Sequence, residues 1–196
     1  MSRRPARAAA AALALALALP AGGCGGAELP PPLGLGGDFT LTATDGSAWR
    51  LSEHAGKPTV LFFGFTFCPD ICPGTLVAVK RAYDALPEGV EAPQTLLITV
   101  DPERDTPEAL AQYVSTAAFP DNLVGLTGTA DEIAAAAEAF IAQYERIETP
   151  DSLTEYTMDH TSLLYLMDEN WQLKTFFAEA DADPEYIAQC LAQHIG

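Results

Sequence analysis

The chain has 196 residues, 48% of them hydrophobic, and 10 Lys and Arg against 27 Asp and Glu, for a formal net charge of −17. That length suits one compact domain whose core needs no covalent staples. The acidic balance argues against nucleic acid or an anionic lipid surface as partner and is compatible with an acidic soluble surface, a cationic partner or a metal ion.

Arg3, Arg4 and Arg7 precede an uncharged Ala/Leu run from Ala8 to Leu19. The run is short for a bilayer span and has the layout of a secretory signal, so residues 1–23 are expected to be cleaved and to stay out of the fold. The stretch LPAGGC, 19–24, resembles the lipobox of bacterial lipoproteins, with Ala21 where a Leu is usual three positions before the cysteine. It implies that Cys24 becomes a lipidated N-terminus. Residues 24–37 then read as that cysteine plus a Pro/Gly-rich tether, with the folded domain over 38–196. Export leads to an oxidising compartment, where Cys68 and Cys72 can be joined reversibly.

The domain opens with DFTLTATDGSAWRL, two strand-like halves around Asp45-Gly46 that predict a hairpin. PTVLFFGF, 58–65, is apolar on both faces and predicts a central buried strand. From Pro73 the apolar residues Leu76, Val79, Tyr83 and Leu86 recur at helical spacing as far as Pro87. QTLLITVD, 94–101, is a second apolar strand, and Thr106 with Pro107 caps the next helix. NLVGL, 122–126, is a short strand; Thr129 opens an Ala-rich helix to about Arg146; 147–157 is an acidic loop. HTSLLYLMD, 160–168, and QLKTFF, 172–177, form a hairpin around Glu169-Asn170, and a last helix runs from Pro184 to Ile195. This order gives an α/β fold, a mixed central sheet with helices on both faces.

The stretch FFGFTFCPDICP, 62–73, places Cys68 and Cys72 at the carboxyl end of the first central strand, where open α/β sheets present ligand sites. Pro69 and Pro73 restrict the loop, and Pro73 suits a first helical position, so Cys72 is expected at a helix N-terminus with Cys68 one turn back. Side chains four apart are within disulfide range. A thiolate there is favoured by free amides and the dipole. The small ring would be a poor structural staple. A redox pair and a metal site both remain open: two thiolates can hold Cu(I), and a neutral imidazole would complete a three-coordinate site that also takes Cu(II).

Of the three histidines, His54 lies in a polar loop and His194 in the last helical turn, where a cationic side chain complements the dipole. His160 is predicted at the start of an apolar strand. GFTFCPDICP, VDPERDTPEAL (100–110) and YTMDHTSLLYLMD (156–168) together resemble the Sco/SenC family of copper-binding, thioredoxin-like proteins, from about Asp38 to the C-terminus. The resemblance implies a thioredoxin-like three-layer fold with an N-terminal hairpin extension. It also implies a copper ion bound by Cys68, Cys72 and His160. Phe67 stands where many members carry His or Tyr. Asp70 and Asp159 are candidates for outer contacts to the site, Met167 is expected in the core, and Cys190 is expected to be a buried small hydrophobe.

The resemblance further implies a metallochaperone that assists the binuclear copper centre of cytochrome c oxidase subunit II or another copper acceptor. Such a protein would work from the periplasmic face of a bacterial cytoplasmic membrane through its lipid anchor, with a copper donor or thiol reductant as further partner. The same loop permits a thiol-disulfide oxidoreductase that keeps the acceptor's cysteines reduced through the Cys68–Cys72 pair. A copper or redox sensor is a third reading.

Overall fold

A computed structural model describes residues 35–150, 154–178 and 183–195. The signal segment, Cys24 and the tether up to residue 34 lie outside the described residues. Among the described residues, nine strands and four α-helices follow in chain order, with a short 3-10 turn at Leu51–His54: β1 Thr40–Ala43, β2 Ala48–Arg50, β3 Thr59–Gly64, α1 Ile71–Asp84, β4 Gln94–Thr99, α2 Pro107–Val114, β5 Leu123–Thr127, α3 Ala130–Ala139, β6 Tyr144–Glu148, β7 Tyr156–His160, β8 Leu163–Met167, β9 Leu173–Ala178 and α4 Pro184–Ile195. The seven-stranded sheet has the order β2-β1-β5-β4-β3-β8-β9. β3, β4 and β5 run parallel, with β8 antiparallel to β3 and β1 antiparallel to β5.

The apolar runs read from sequence become the middle of this sheet. Every residue of β3 is buried, as are the last five of β4, because helices cover both faces. Phe62, Leu97 and Gly125 lie in register across β3, β4 and β5. A Cβ on Gly125 would meet Leu110 and Val114, and one on Gly64 would meet Cys72 Sγ, so α1 and α2 share that face. α4 packs beside α1, and its Tyr186 meets Phe177 edge-on. On the opposite face Phe63, Tyr165 and Phe140, which follows α3, form an aromatic cluster. The chain is already tied to this body at Gly36, whose amide donates to the Ala139 carbonyl at 2.7 Å.

The hairpin around Asp45-Gly46 is present as β1 and β2, with Gly46 at φ +81°. Thr106 caps α2 by accepting from the Ala109 amide, with Pro107 in the first turn, and Thr129 and Glu132 form a capping box on α3. Three expectations are corrected. α1 begins at Ile71, so Pro73 occupies the third helical position, still in the turn where a missing N–H is harmless. α3 stops at Ala139, seven residues short of Arg146, because Ile141 takes φ +53° and the Ala142 and Ile141 amides return to the carbonyls of Ala137 and Glu138. The stretch read as helix end and acidic loop is a separate two-stranded ribbon, β6 with β7, and His160 therefore closes β7 rather than opening β8.

Candidate metal centre

The cysteine loop is fixed from three sides. Gly64, the last residue of β3, has no room for a side chain: a Cβ would stand 2.7 Å from Phe62 and 3.1 Å from Cys72 Sγ. The glycine therefore lets the Cys72 sulfur lie under the strand end, fully buried. Thr66 gives its amide (3.0 Å) and its hydroxyl (2.5 Å) to the carboxylate of Asp105, which also accepts the Thr99 hydroxyl at 2.6 Å. Asp105 is fully buried, and that burial raises its pKa against the three hydrogen bonds that favour the charge. The third support is the start of α1, where the Asp70 carbonyl accepts from the Gly74 amide.

This scaffold makes the two sulfurs unequal. Cys68 is half-buried and its Sγ accepts the Cys72 amide at 3.3 Å. A hydrogen bond from the Cys72 thiol, then one from His160 and the backbone amides, pulls the Cys68 pKa down to about 4 against its partial burial. Cys72 moves the other way: it retains the shared proton beside a thiolate and is shut off from water. Both are free thiols.

The ribbon delivers the third donor. His160 Nε2 lies 3.6 Å from Cys72 Sγ, and Nδ1 lies 3.2 Å from the Thr161 carbonyl, the arrangement that leaves Nε2 as the free lone pair when Nδ1 carries the proton. Phe62 and Phe65 meet its ring edge-on. Two donors bound to one first-row ion at bonds of about 2.0–2.3 Å stand roughly 3–4 Å apart, so the thiol–imidazole spacing fits a metal ion. Among the described residues no group of three or more Cys, His, Asp or Glu side chains is already arranged to hold a metal ion, so the fit rests on the pairwise contacts of Cys72 with Cys68 and with His160. A cleft of about 700 Å³ between α3 and the ribbon reaches His160, with Glu138, Glu145 and Asp159 on its walls.

Cys72 thus contacts both Cys68, through its amide, and His160, through its sulfur. The other candidates fall elsewhere. His54 stacks on Trp49, ring centroids 4.3 Å apart. His194 does end α4, but burial and Lys174 lower its pKa, which works against the cationic role expected of it. Asp70 precedes α1 without a side-chain capping bond, and Asp159 is an exposed residue of β7 beside His160. Met167 is fully buried, as expected. Cys190 is buried, as expected. Sequence reasoning assigned the 101–106 loop only strand termination and capping. It missed Asp105 under the cysteine loop and the cluster of Asp101, Arg104 and Tyr156 beside it.

With that geometry in place, comparison with known proteins decides the kinship. Residues 28–196 match the sequence profile of SCO1/SenC. The chain belongs to the SCO1/SenC family. It is 38% identical over 147 residues to "Protein SCO1 homolog 1, mitochondrial" of Arabidopsis thaliana, covering 74% of this chain and 42% of that protein. It spans about half the length of the first curated relatives it matches. Among solved structures, Arabidopsis thaliana ScoI with copper bound superposes with a TM-score of 0.75 at 34% identity, over 81% of this chain and 96% of that one. Bradyrhizobium japonicum ScoI with copper bound gives 0.71 at 37%, over 82% and 99%. The mixed α/β fold of these SCO1/SenC members is thioredoxin-like, and this chain shares it.

Proposed function

We propose that this chain binds one copper ion through the Cys68 and Cys72 thiolates and His160 Nε2 and passes it to the binuclear copper centre of a cytochrome c oxidase during assembly. The observation that carries the reading is the approach of Cys72 Sγ to His160 Nε2 at 3.6 Å, with the half-buried Cys68 Sγ against the Cys72 amide, in a family with similar solved members that hold copper. Two thiolates supply the soft donors that Cu(I) prefers, and the imidazole adds the borderline donor that makes Cu(II) acceptable. The half-exposed Cys68 sulfur is the donor an incoming acceptor thiol reaches first, so transfer by ligand exchange begins there. Placement outside a bacterial cytoplasmic membrane, with residues 1–23 removed and a lipid on Cys24, belongs to the same proposal. No helix among the described residues is long and apolar enough to cross a membrane.

The test is anaerobic titration of the reduced protein with Cu(I) and with Cu(II). One equivalent of each, with a thiolate-to-Cu(II) charge-transfer band that needs all three residues, is the expected result. Absence of stoichiometric copper, together with a readily cycled Cys68–Cys72 disulfide, would favour a second reading that the unequal sulfurs support, a thiol-disulfide reductase. There the Cys68 thiolate attacks an acceptor disulfide and displaces one acceptor thiolate. Cys72 then loses its proton and attacks Cys68 Sγ, releasing the second. The acceptor gains two electrons and the pair leaves as a disulfide.

A further inference from the structure

The ribbon that carries His160 shares no ladder with the seven-stranded sheet; β6 and β7 pair only with each other. Its base is closed by Thr161 and Gln143, the Thr161 amide donating to the Gln143 carbonyl at 2.8 Å. Away from that base, its position over the cysteine loop depends on side chains, and one residue gathers most of them. Arg104, in the loop between β4 and α2, is only 16% exposed. Its Nε pairs with Asp101 Oδ2, and its Nη1 donates to the Tyr156 carbonyl at 3.1 Å. Its guanidinium lies over the Tyr156 ring at 3.7 Å from the centroid and over the Phe67 ring at 4.6 Å. Phe67 adjoins Cys68, and Tyr156 begins the strand that ends at His160. Tyr156 also donates its hydroxyl to the other oxygen of Asp101 at 2.9 Å.

We propose that Arg104 is a positioning residue: its planar guanidinium, inserted between Phe67 and Tyr156, holds the β6–β7 ribbon against the cysteine loop and sets where His160 meets the two sulfurs. The inference rests on the metal-site reading above. Arg146 extends the clamp. Its guanidinium is 3.6 Å from the Tyr156 centroid, and since two guanidinium groups that close cannot share one face of a ring, it covers the face opposite Arg104. Arg146 also reaches Glu103 at 2.9 Å, so neighbouring loop residues grip the ribbon twice.

The chemistry requires arginine. A flat, delocalised cation stacks on two rings while its edge forms an ion pair and a carbonyl contact; an ammonium offers one point of charge and no plane. Arg104 Nη2 is buried and has no hydrogen-bond partner among the described residues. A buried, unpartnered N–H lowers stability, and a neutral side chain filling the same space would avoid it. The placement therefore serves orientation better than stability.

The experiment compares the reduced whole protein with Arg104→Lys and Arg104→Gln by amide hydrogen exchange without metal, and by Cu(II) and Cu(I) affinity. The expected result is that amides of residues 156–160 exchange at least about tenfold faster in both variants while β3 and β4 keep their protection. Cu(II) affinity is expected to fall by about 10–100-fold, the range for loss of a contact that orients a ligand, with Cu(I) affinity within about threefold. If Gln also strips protection from β3, the Lys variant carries the test. Unchanged ribbon exchange, or equal loss of Cu(I) and Cu(II), overturns the proposal. Should the unaltered protein bind no Cu(II), the metal-site reading fails instead, and the metal-free exchange still decides the clamp.

Discussion

The cysteine loop and the histidine ribbon meet at one point but are held in opposite ways. The loop is bound by the sheet and its helix: a glycine with no room for a Cβ, a buried carboxylate taking three hydrogen bonds from Thr66 and Thr99, and the first turn of α1. The ribbon is docked through Arg104, Tyr156 and the ring contacts of His160. One half of the site is therefore as rigid as the core, while the other has a separately breakable attachment. On the proposed function, dithiolate binding of Cu(I) uses the rigid half, and capture of Cu(II) uses both.

The largest effect that would test this contrast comes from removing a sulfur. Cys68→Ala or Cys72→Ala is expected to lower affinity for both copper states by more than about a hundredfold, beyond what an outer contact is worth. Near-normal Cu(I) affinity in either variant would take that sulfur out of the site. His160→Ala comes next and should separate the halves. The Cu(II) charge-transfer band is expected to vanish while Cu(I) affinity changes by less than about tenfold; an intact band would exclude the imidazole.

Asp105→Ala tests the rigid half without touching a donor to metal. It strands two hydroxyls and an amide, each worth about 1–3 kcal/mol when left unpaired in the interior, and a net loss of roughly 3 kcal/mol is expected in urea unfolding. A loss below about 1 kcal/mol would mean that the loop holds itself. The subtlest prediction concerns pH. Because the Cys72 thiol donates to it, Cys68 titrates near 4 in the reduced protein. Its depressed value gives a stabilising contribution that is complete above the free-thiol pKa of about 8.5 and disappears as pH falls through about 4. Alkylation of Cys68 should therefore be nearly flat between about pH 6 and 8, where an ordinary thiol gains roughly tenfold per unit. Replacing Cys72 with Ala should restore much of that slope, and a steep slope in the unaltered protein would contradict the asymmetry.

The same contrast explains what could be read from sequence. The apolar runs of β3 and β4, the Asp45-Gly46 turn and the Thr106-Pro107 cap are local signals, and each appeared where expected. The cysteine spacing and the family resemblance pointed to Cys68, Cys72 and His160, and the fold sets Cys72 against each of the other two. The ribbon escaped because its announcing residue is Ile141, a β-branched side chain in a left-handed conformation where a glycine would have marked the helix end. Arg104 escaped for another reason. Its carbonyl contact on Tyr156 spans 52 residues and the Tyr156–Asp101 bond 55, distances over which a single sequence carries no pairing signal. A charged residue in DPERDTP reads as a solvated loop until the fold buries it.

The most direct check of the central claim is X-ray absorption at the copper edge of the Cu(II)-loaded protein. The account predicts two sulfur scatterers and one imidazole nitrogen, with the nitrogen signature lost in His160→Ala. A shell of oxygen and nitrogen without sulfur, or a spectrum unaltered by that substitution, would contradict it.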